Sequence, residues 1–542
     1  MLKSWSVENF KAIVNSGDLQ LAPVTVLAGL NSSGKSSLLQ SILMISQTLS
    51  SRVLDRALLP NGPIVQLGTF EDILNEASKI RPLTIKFKFE FEEDKEEKEE
   101  NNDGFGIGST LEYIDVGVQF LSTSDNSIKS AIGSSQVIAE KVVIKVASDI
   151  YFPFEDDFDY VEATFSIRKV SDKVFEDFLS NVETTSLHTL PLTFNKLSGY
   201  LGTLEGGEEE YLVILSHFLP SHFFRRIKVE KHIKNQLIRA ISAFFEYPSD
   251  DAYGLLDDEL LKFVDFDANM PEDVRKNIYE ICNNEIILEK FSGYTVRDLA
   301  EWLKSLKVGR KNSRKKGLLV RQAQEIIAQY YTKEWLTEKQ YDRETEGLEL
   351  VFRNFNDIKY ACDYITRFFT SKIRYLGPLR ADPQASQKFA TSGELDDVGT
   401  KGEYAGAVYD ANQRLFVDWY DPYTQKIERH ILSMALDTWA RYLGVAEGIQ
   451  IETAGRSGVN WQVIHTQGHR PLPLSAVGVG VSQVLPILVM GLLAPKDTLL
   501  IVEQPELHLH PRVQARLGDF FMGLAKCGKQ CLIETHSENL IS

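Results

Sequence analysis

The residues from Gly29 to Ser36 (GLNSSGKS) restrict most strongly what this chain can fold into. They match the pattern G-x-x-x-x-G-K-[ST], in which a loop turns its backbone N–H groups toward a phosphate. Residues 21–28 are predicted to form a buried strand that enters the loop, and residues 37–49 have the apolar spacing of a helix that leaves it. This context favours a phosphate-binding loop over the alternative, a Gly/Ser-rich turn with a stray lysine.

The residue types in the loop suit a nucleoside triphosphate. Gly29 and Gly34 let the backbone curl, and the following helix adds its positive N-terminal end to the same site. Lys35 is predicted to reach the β- and γ-phosphates, and the Ser36 hydroxyl to ligate Mg²⁺. We therefore predict ATP and Mg²⁺ as cofactors. The predicted nucleotide-binding residues of the loop are Asn31, Ser32, Ser33, Gly34, Lys35, Ser36 and Ser37.

Two further strands are predicted near residues 499–534. Residues 499–502 are apolar without alternation, which is typical of a central parallel strand, and Glu503 follows at its carboxyl end. A carboxylate there can hold Mg²⁺, so the predicted metal ligands are Ser36 and Glu503. Residues 530–534 form a second buried strand shortly before His536. A neutral imidazole there is predicted to donate a hydrogen bond to a γ-phosphate oxygen and so to distinguish ATP from ADP.

A glycine-containing segment, residues 474–483 (LSAVGVGVSQ), precedes an apolar helix predicted at 484–493. Its bare N–H groups and helix N-terminus suit a second anion. Because the chain already has its own phosphate loop, we predict that Gly478, Gly480 and Ser482 face the nucleotide of another subunit. ATP would then be enclosed in a two-fold head-to-tail sandwich, within a homodimer or higher oligomer.

The 542 residues are too many for one core, and the pattern changes along the chain. Alternating β patterns dominate residues 1–28 and about 80–170, and helical patterns dominate about 172–365, before a β pattern returns at 373–376. The predicted fold class is α/β, a head with a mixed or parallel sheet flanked by helices and an antiparallel β subdomain, carrying a mainly helical insertion. The charge run at 91–104 is read as a solvated hairpin loop or a regulatory tail. The predicted divisions are 1–170, 171–368 and 369–542.

Composition narrows the class of protein. We find no secretory leader at Met1 and no apolar run of the ~18 residues that a membrane span needs, so a cytoplasmic protein is expected. The four cysteines do not form a disulfide framework, and Cys527 and Cys531 are read as buried thiols rather than metal ligands.

The net charge of −17 argues against a uniformly basic nucleic-acid binder, so contacts with DNA or RNA would need local basic clusters. Such clusters suit phosphate backbones, although lysine-rich helix faces are also often only solvated. There are two of them, Lys304, Lys307, Arg310, Lys311, Arg314, Lys315 and Lys316, and Arg225, Arg226, Lys228, Lys231, Lys234 and Arg239.

Taken together, these motifs resemble those of ABC-type P-loop ATPases, in the branch of the structural-maintenance, RecF-like and lysogenisation-defect proteins. The resemblance is carried by Asn9-Phe10-Lys11, by the segment 474–483, by residues 503–511 (EQPELHLHP) and by Thr535-His536. Residues 503–511 and 375–380 (YLGPLR) also resemble bacterial ATPases that accompany defence nucleases, including the PtuA subunit of Septu and retron-associated antiphage systems.

The resemblance implies that 474–483 acts in trans, that Glu503 helps to hold Mg²⁺ and that His536 is a switch histidine. A glutamine that senses Mg²⁺ in relatives has two candidates here, Gln66 and Gln47. The implied partners are a separate effector nuclease of the HNH type and DNA or retron RNA/DNA, with no membrane.

One position departs from the wider superfamily, in which a glutamate follows the strand-end acid and polarises the attacking water. Here that position is Gln504, whose amide can orient water but cannot accept its proton. Hydrolysis is therefore predicted to be slow or to recruit Glu506 or His536, unless Gln504 only hydrogen-bonds the next loop. The predicted catalytic residues are Glu503, Gln504, Glu506 and His536.

Two function classes remain open from the sequence. The first is an ATP-controlled sensor and scaffold for a separate nuclease in antiviral defence. The second is a DNA repair or recombination ATPase, or a nuclease of the lysogenisation-defect type whose cleavage domain would follow the ATPase. The sequence ends at Ser542, shortly after His536, and its ten histidines form no evident HNH-like cluster, which favours the first class. Arg380 is interpreted as a structural ion-pair partner, with an arginine finger as the alternative.

Overall fold

The computed structural model describes most of the chain. The described residues are 1–30, 33–78, 81–91, 109–123, 136–152, 157–171, 174, 200–205, 209–246, 256, 260, 263–282, 291–306, 313–341, 346–351, 355–382, 396–453, 459–464 and 470–541. The chain divides into two compact units, of which the first comprises Met1–Val170, Ser198–Phe223 and Phe352–Ser542, and the second Ser171–Leu197 and Phe224–Val351. The insertion was expected at 171–368, so the difference is that 198–223 and 352–368 are counted with the first unit.

The strands in chain order are β1 (Leu2–Phe10), β2 (Ile13–Asn15), β3 (Leu19–Gln20), β4 (Val24–Ala28), β5 (Leu83–Glu90), β6 (Ser109–Thr123), β7 (Gln136–Phe152), β8 (Asp157–Lys169), β9 (Tyr200–Leu204), β10 (Glu210–Ser216), β11 (Leu219–Lys228), β12 (Glu346–Leu350), β13 (Ile373–Leu376), β14 (Phe416–Asp421), β15 (Lys426–Ile431), β16 (Gly448–Thr453), β17 (Val459–Ile464), β18 (Leu472–Pro473), β19 (Leu499–Glu503) and β20 (Gln530–Thr535). The helices are α1 (Lys35–Leu49), α2 (Phe70–Ile73), α3 (Val229–Glu246), α4 (Glu272–Cys282), α5 (Val296–Ser305), α6 (Ser313–Lys339), α7 (Asn356–Ser371), α8 (Ala405–Asn412), α9 (Leu432–Leu443), α10 (Val479–Leu493), α11 (Pro511–Lys526) and α12 (Glu538–Ile541).

The first unit contains a parallel sheet in the order β13-β19-β20-β4. In β19 every residue from Leu499 to Glu503 is buried, as expected for a central strand covered on both faces. The parallel register pairs Glu503 with Glu534 and Thr535 with Ala28, so the strands end at one edge. The predicted α/β fold class is confirmed, and this edge is where such sheets place ligand contacts.

An antiparallel sheet lies in the same unit, with β10-β9-β8-β7-β6-β5-β1 in order and β2 and β3 pairing with β1. Strand β1 of this sheet contacts α1, the helix that follows the phosphate loop. The Trp5 ring stacks on Phe87 with centroids 5.5 Å apart, and its Nε1–H donates to Ser41 Oγ of α1 at 2.9 Å. The Gln530 amide donates to the Leu2 carbonyl at 2.7 Å and joins β20 to β1. These contacts fix α1 and the parallel sheet relative to the antiparallel one.

Helices α9, α10 and α11 cover the parallel sheet and share a core with it. Trp439, Leu488 and Phe520 are fully or almost fully buried there together with Val502 and Ile533 of the strands. A buried cation lies at the end of α10, because the Lys529 ammonium donates to the carbonyls of Gly491 at 2.7 Å and Leu492 at 3.1 Å. Carbonyls in the last turn of a helix lack intrahelical partners, so this lysine satisfies them.

The second unit is mainly helical, as the pattern predicted. Helices α3 to α6 enclose a core in which Leu237, Phe244, Ile278, Leu299 and Ile327 are buried. Part of the predicted helical stretch is wrong, since β9, β10 and β11 occupy 200–228 and β12 pairs antiparallel with the Phe224–Lys228 part of β11. In short strands such as β10, Tyr211 to Val213 are all buried, so apolar and polar residues do not alternate. The local sequence pattern therefore does not distinguish such strands from a helix.

Among the helices within the described ranges, none has the length and apolar character needed to cross a membrane. The predicted charge run at 91–104 lies, apart from Phe91, outside the described residues. It falls between β5 and β6, which pair antiparallel from Leu83↔Phe120 to Glu90↔Tyr113.

We predict that Lys529 makes the first unit more stable as the pH rises through the alkaline range. Burial lowers its pKa from 10.5 to about 8, so between those values the unfolded chain binds more protons than the native one. Stability from this group therefore rises as pH increases from 8 to 10.5, by at most about 3–4 kcal/mol, since each pKa unit corresponds to roughly 1.4 kcal/mol. Denaturant unfolding of the wild type and Lys529→Met across this range measures it. A pH slope that Lys529→Met leaves unchanged would contradict the prediction.

Candidate functional site

The phosphate loop joins β4 to α1 at the shared edge of the parallel sheet. Gly29 has φ +148° and Gly34 has φ +95°, a region that favours glycine, as expected for a loop that curls around an anion. The Lys35 ammonium lies across the loop and donates to the Gly29 carbonyl at 3.0 Å and the Leu30 carbonyl at 2.8 Å. Ser33 Oγ lies 3.5 Å from the same ammonium. Ser37 follows in the first turn of α1, and Asn31 and Ser32 lie outside the described residues.

The Ser36 hydroxyl contacts a carboxylate that the sequence did not single out. Ser36 Oγ lies 2.9 and 3.0 Å from the two carboxylate oxygens of Glu534, on β20. Glu503, the predicted metal ligand, lies beside Glu534 in the parallel register. Both acids are almost completely buried. Glu534 could have been found by the rule that selected Glu503, because it is an acid at the carboxyl end of an apolar run.

Glu503 is held by a pair of residues from the YLGPLR block. The Tyr375 hydroxyl donates to Glu503 Oε1 at 2.8 Å, and Arg380 Nη2 donates to the Glu503 main-chain carbonyl at 3.1 Å. Burial and the neighbouring Glu534 raise the pKa of Glu503 to about 7, against the opposing effects of Tyr375 and Arg380. The Glu503 carboxyl is therefore harder to ionise than a solvent-exposed glutamate.

Arg380 is a buried cation, and within the described residues it makes one hydrogen bond. It is 8% exposed, and burial lowers its pKa to about 10 against the opposing effect of Tyr375, Glu503 and Glu506. Its Nε and Nη1 atoms have no hydrogen-bond partner within the part of the chain that the structure describes. The expected structural ion pair is absent there, because its donor reaches a main-chain carbonyl rather than a carboxylate.

Gln504 and Glu506 follow β19 in a strained turn. Gln504 has φ +45°, and its N–H donates to the Glu534 carbonyl at 2.7 Å. Glu506 Oε1 accepts a hydrogen bond from the His536 main-chain N–H at 2.8 Å, whereas its Oε2 is buried and without a partner among the described residues. Glu506 therefore positions the backbone of the predicted switch histidine.

The His536 ring lies against the phosphate loop, with Nδ1 3.0 Å from the Gly29 carbonyl. Because a carbonyl only accepts, Nδ1 carries the proton in this contact. A neutral ring in that tautomer has only a lone pair on Nε2. The predicted hydrogen bond from a neutral His536 ring to a γ-phosphate therefore requires that Nδ1 first releases the Gly29 carbonyl. If Nδ1 keeps that contact, Nε2 can donate to the phosphate only when the ring is protonated on both nitrogens.

The three residues predicted to act on a second subunit differ in accessibility. Gly478 is exposed at the start of α10, and a Cβ there would meet no atom within 4 Å. A Cβ on Gly480 would meet the His508 carbonyl oxygen of its own chain at 3.0 Å. Ser482 is 5% exposed, and its hydroxyl donates to the Val479 carbonyl at 2.7 Å. Gly478 is therefore accessible, whereas Ser482 serves its own helix.

The two glutamine candidates for sensing Mg²⁺ differ in burial and in hydrogen bonding. The Gln47 amide is buried, donates to the Leu59 carbonyl at 2.7 Å and accepts from the Val65 N–H at 3.0 Å. Both ends of this amide are used to fix the segment after α1, so Gln47 does not fit the role. Gln66 is exposed and stays a candidate.

Several members of the two basic clusters are engaged within the second unit. Arg226 pairs with Glu346, Lys234 Nζ lies 3.3 Å from Glu325, and the Lys316 ammonium donates to the Leu306 carbonyl at 3.0 Å. Arg314 and Lys315 are exposed at the start of α6. Lys307, Arg310 and Lys311 lie outside the described residues. Nucleic-acid binding by the clusters stays a prediction.

The edge of the parallel sheet thus brings together an ammonium, a hydroxyl, buried carboxylates and an imidazole, from residues 29–36, 503–506 and 534–536. Over residues 1–541 the sequence matches the family described as AAA ATPase domain. The chain belongs to this family. The prediction of an ATPase with a P-loop fold is therefore confirmed.

Two solved structures also match this ATPase. They are the Smc head domain with an extended coiled coil bound to the C-terminal domain of ScpA, from Pyrococcus furiosus, at 11% identity and TM-score 0.28, and the SMC head domain from Thermotoga maritima, at 10% and 0.30. Each match covers 100% of this chain and 90% of the other. Scores this low carry no conclusion about substrates or partners. Among curated proteins, none matches the chain.

Proposed function

We propose that this ATPase binds Mg·ATP at the edge of the parallel sheet, hydrolyses it slowly and uses the bound state to assemble with other proteins. The observation that carries the proposal is the convergence of Lys35, Ser36, Glu503 and His536 around one loop. These side chains supply the charges and donors that a triphosphate needs.

ATP binding would exchange contacts within the loop. Lys35 now donates to the carbonyls of Gly29 and Leu30, and a phosphate would offer it a charge-assisted hydrogen bond instead. The His536 ring contacts the same Gly29 carbonyl, so occupation of the loop would affect both side chains. The imidazole could then report the presence of the γ-phosphate.

The donor chemistry of the site fits Mg²⁺. In the described residues, no group of three or more His, Cys, Asp and Glu side chains could hold a metal ion alone. The Ser36 hydroxyl and the Glu503 carboxylate are hard oxygen donors, and Mg²⁺ is typically held by one or two carboxylates together with substrate phosphates. When bound, Mg²⁺ would offset the charge of the phosphates.

Slow hydrolysis follows from the residues available to the attacking water. Gln504 cannot take up a proton, and Glu506 already uses one carboxylate oxygen to hold the His536 backbone. Glu506 is therefore a positioning residue, with its second oxygen as the remaining candidate base. Without a strong base the ATP state would persist and stabilise any assembly that depends on it.

The proposed assembly is a head-to-tail homodimer, or a higher oligomer built from it, in which the Gly478 end of one chain approaches the nucleotide of the other. The exposed helix start supports this, because its N–H groups and dipole suit an anion. The burial of Ser482 restricts the proposed contact to the exposed residues around Gly478.

The proposed role is the ATP-controlled scaffolding of a separate HNH-type nuclease in bacterial antiphage defence, in the cytoplasm, with DNA or retron RNA/DNA as further partners. The resemblance of residues 375–380 and 503–511 to defence ATPases supports it. The two blocks also meet in the structure, where Tyr375 and Arg380 of one contact Glu503 of the other. The alternative is an ATPase of DNA repair, or a component of a lysogenisation-defect-type nuclease. Co-purification with a nuclease, rather than with repair substrates alone, distinguishes them.

We predict that Gln504→Glu raises ATP turnover. The new carboxylate supplies a general base, which is typically worth ~10²–10⁴-fold, and Glu and Gln bear the same strain at φ +45°. Single-turnover hydrolysis by the wild type, Gln504→Glu and Lys35→Ala measures it, with oligomer mass in ATP followed in parallel. Faster turnover should shorten the life of the assembly. Fast wild-type hydrolysis that Glu506→Gln abolishes would show instead that the base is Glu506.

We predict that mixing two binding-deficient variants restores one composite site. Lys35→Ala removes the phosphate charge, and Gly478→Glu places bulk and negative charge at an open position without clashing in its own chain. Each variant alone should lose ATP-dependent association, whereas the mixture should regain one bound nucleotide per dimer. Calorimetry and light scattering measure both. Gly480 is unsuited to this test because a side chain there contacts His508. A mixture no better than either parent would exclude the sandwich.

We predict that Arg314→Glu with Lys315→Glu weakens DNA or structured RNA binding. Both side chains are exposed, whereas Lys316 is kept because it caps the Leu306 carbonyl. The log–log salt slope should fall by about 0.9 per lost contact with duplex DNA, or about 0.7 with a single strand. Arg321→Glu with Lys333→Glu, both exposed on the same helix and outside the basic clusters, controls for the change in net charge. An unchanged salt slope in the folded double variant would show that Arg314 and Lys315 do not contact nucleic acid and are only solvated.

A further inference from the structure

The carboxylate that touches the phosphate-loop serine comes from β20 and not from β19. Ser36 Oγ lies 2.9 and 3.0 Å from the oxygens of Glu534, and Glu534 is 3% exposed. Strand β20 lies between β4 and β19, so its register places Glu534 beside both Leu27 and Glu503. The acid nearest to the loop is therefore the one on the middle strand.

The direction of this hydrogen bond determines what Ser36 can do. The hydroxyl has one hydrogen and a carboxylate only accepts, so Ser36 donates and keeps its oxygen lone pairs. A serine held in this way presents those lone pairs to a cation. Glu534 thus acts on the orientation of Ser36 as well as contributing charge.

Charge balance at the same place points to a bound cation. Glu503 is 5% exposed and Glu534 3% exposed, and their strands pair them side by side. Within the described ranges neither acid forms an ion pair. Arg380, the buried cation beside them, donates to the Glu503 main-chain carbonyl, and the Lys35 ammonium donates to loop carbonyls. Two buried carboxylates in contact are costly unless a cation or a shared proton offsets them.

An independent observation also indicates a ligand here. Arg380 and Glu506 are each 8% exposed, and each has buried polar atoms without a partner in the described part of the chain, Nε and Nη1 of the arginine and Oε2 of the glutamate. Arg380 lies against Glu503, to whose carbonyl it donates. Buried polar atoms of this kind are normally satisfied by water or a ligand. A hydrated cation beside a phosphate supplies both donors and acceptors.

We propose that Glu534 is a carboxylate of the Mg²⁺ site, holding Ser36 in its ligating orientation and sharing the cation with Glu503. This rests on the proposed function, since the cation would accompany ATP. The three protein groups are then Ser36, Glu503 and Glu534, with the phosphates completing the coordination.

A purely structural role for Glu534 makes a different prediction. If its contact with Ser36 only fastened α1 to the sheet edge, its loss would lower stability and ATP affinity equally with and without metal. A role in the metal site affects the metal-dependent part alone. The measurement must therefore separate ATP affinity in EDTA from ATP affinity in Mg²⁺.

The experiment compares the wild type with Glu534→Gln, which keeps the shape of the side chain and an acceptor for Ser36 but loses the charge. ATP affinity is measured by calorimetry in Mg²⁺ and in EDTA, and Mn²⁺ affinity by electron paramagnetic resonance with ATP bound. We expect Mn²⁺ affinity to fall about 10- to 100-fold, and ATP affinity in EDTA to stay within about twofold. Glu538→Gln, exposed four residues further along, controls for net charge.

Two further outcomes have separate meanings. If the wild type binds ATP more tightly with Mg²⁺ and Glu534→Gln keeps that difference, the assignment of Glu534 is overturned and the proposed function stands. If the wild type binds no ATP in either condition, the proposed function itself fails and the assignment with it. Should Glu534→Gln not fold, Glu534→Asp replaces it, because the shorter side chain keeps the charge but withdraws from Ser36. Its Mn²⁺ affinity should fall, and wild-type affinity would overturn the assignment.

Discussion

The parallel pairing of β20 with β4 on one side and β19 on the other is the interaction on which the site depends. It places Thr535 beside Ala28 and Glu503 beside Glu534, so three distant segments end at one edge. The hydrogen bond between Ser36 and Glu534 joins residues 498 positions apart, and the His536 contact with Gly29 joins residues 507 apart. Without this ladder the ammonium, the carboxylates and the imidazole would belong to unrelated parts of the chain.

The sequence predicted those parts of the fold whose evidence is local. The phosphate loop has fixed positions and glycines with positive φ, and β19 is an unbroken apolar run, so both were recognised without knowledge of their neighbours. Strands β9 and β10 were missed because they are short and depend on pairing with β8 and with each other. Their pattern is set by which face the sheet buries, and local spacing does not reveal that.

Within the site, the sequence identified the right elements but not every right atom. Glu503 was selected because it ends a strand, yet the register gives the Ser36 contact to Glu534, an acid at the equivalent place on the next strand. Ser482 and Gln47 have suitable residue types, but their side chains already donate hydrogen bonds to main-chain carbonyls of the same chain. Motif position predicts which segment approaches a ligand, whereas side-chain direction and competing hydrogen bonds decide which residue can touch it.

The order of the strands along the chain also has a consequence for synthesis. Strand β4 ends at Ala28 and β20 begins at Gln530, far along the chain, and β20 lies between β4 and β19 in the sheet. During translation, β4 and the phosphate loop therefore leave the ribosome long before their pairing partner exists. The edge of β4 that pairs with β20 must wait until residues 530–535 have been synthesised, and pairing between segments so distant in sequence is slow. A chain whose synthesis stops before β20 consequently lacks the proposed nucleotide site, so nucleotide could stabilise only chains that contain β20.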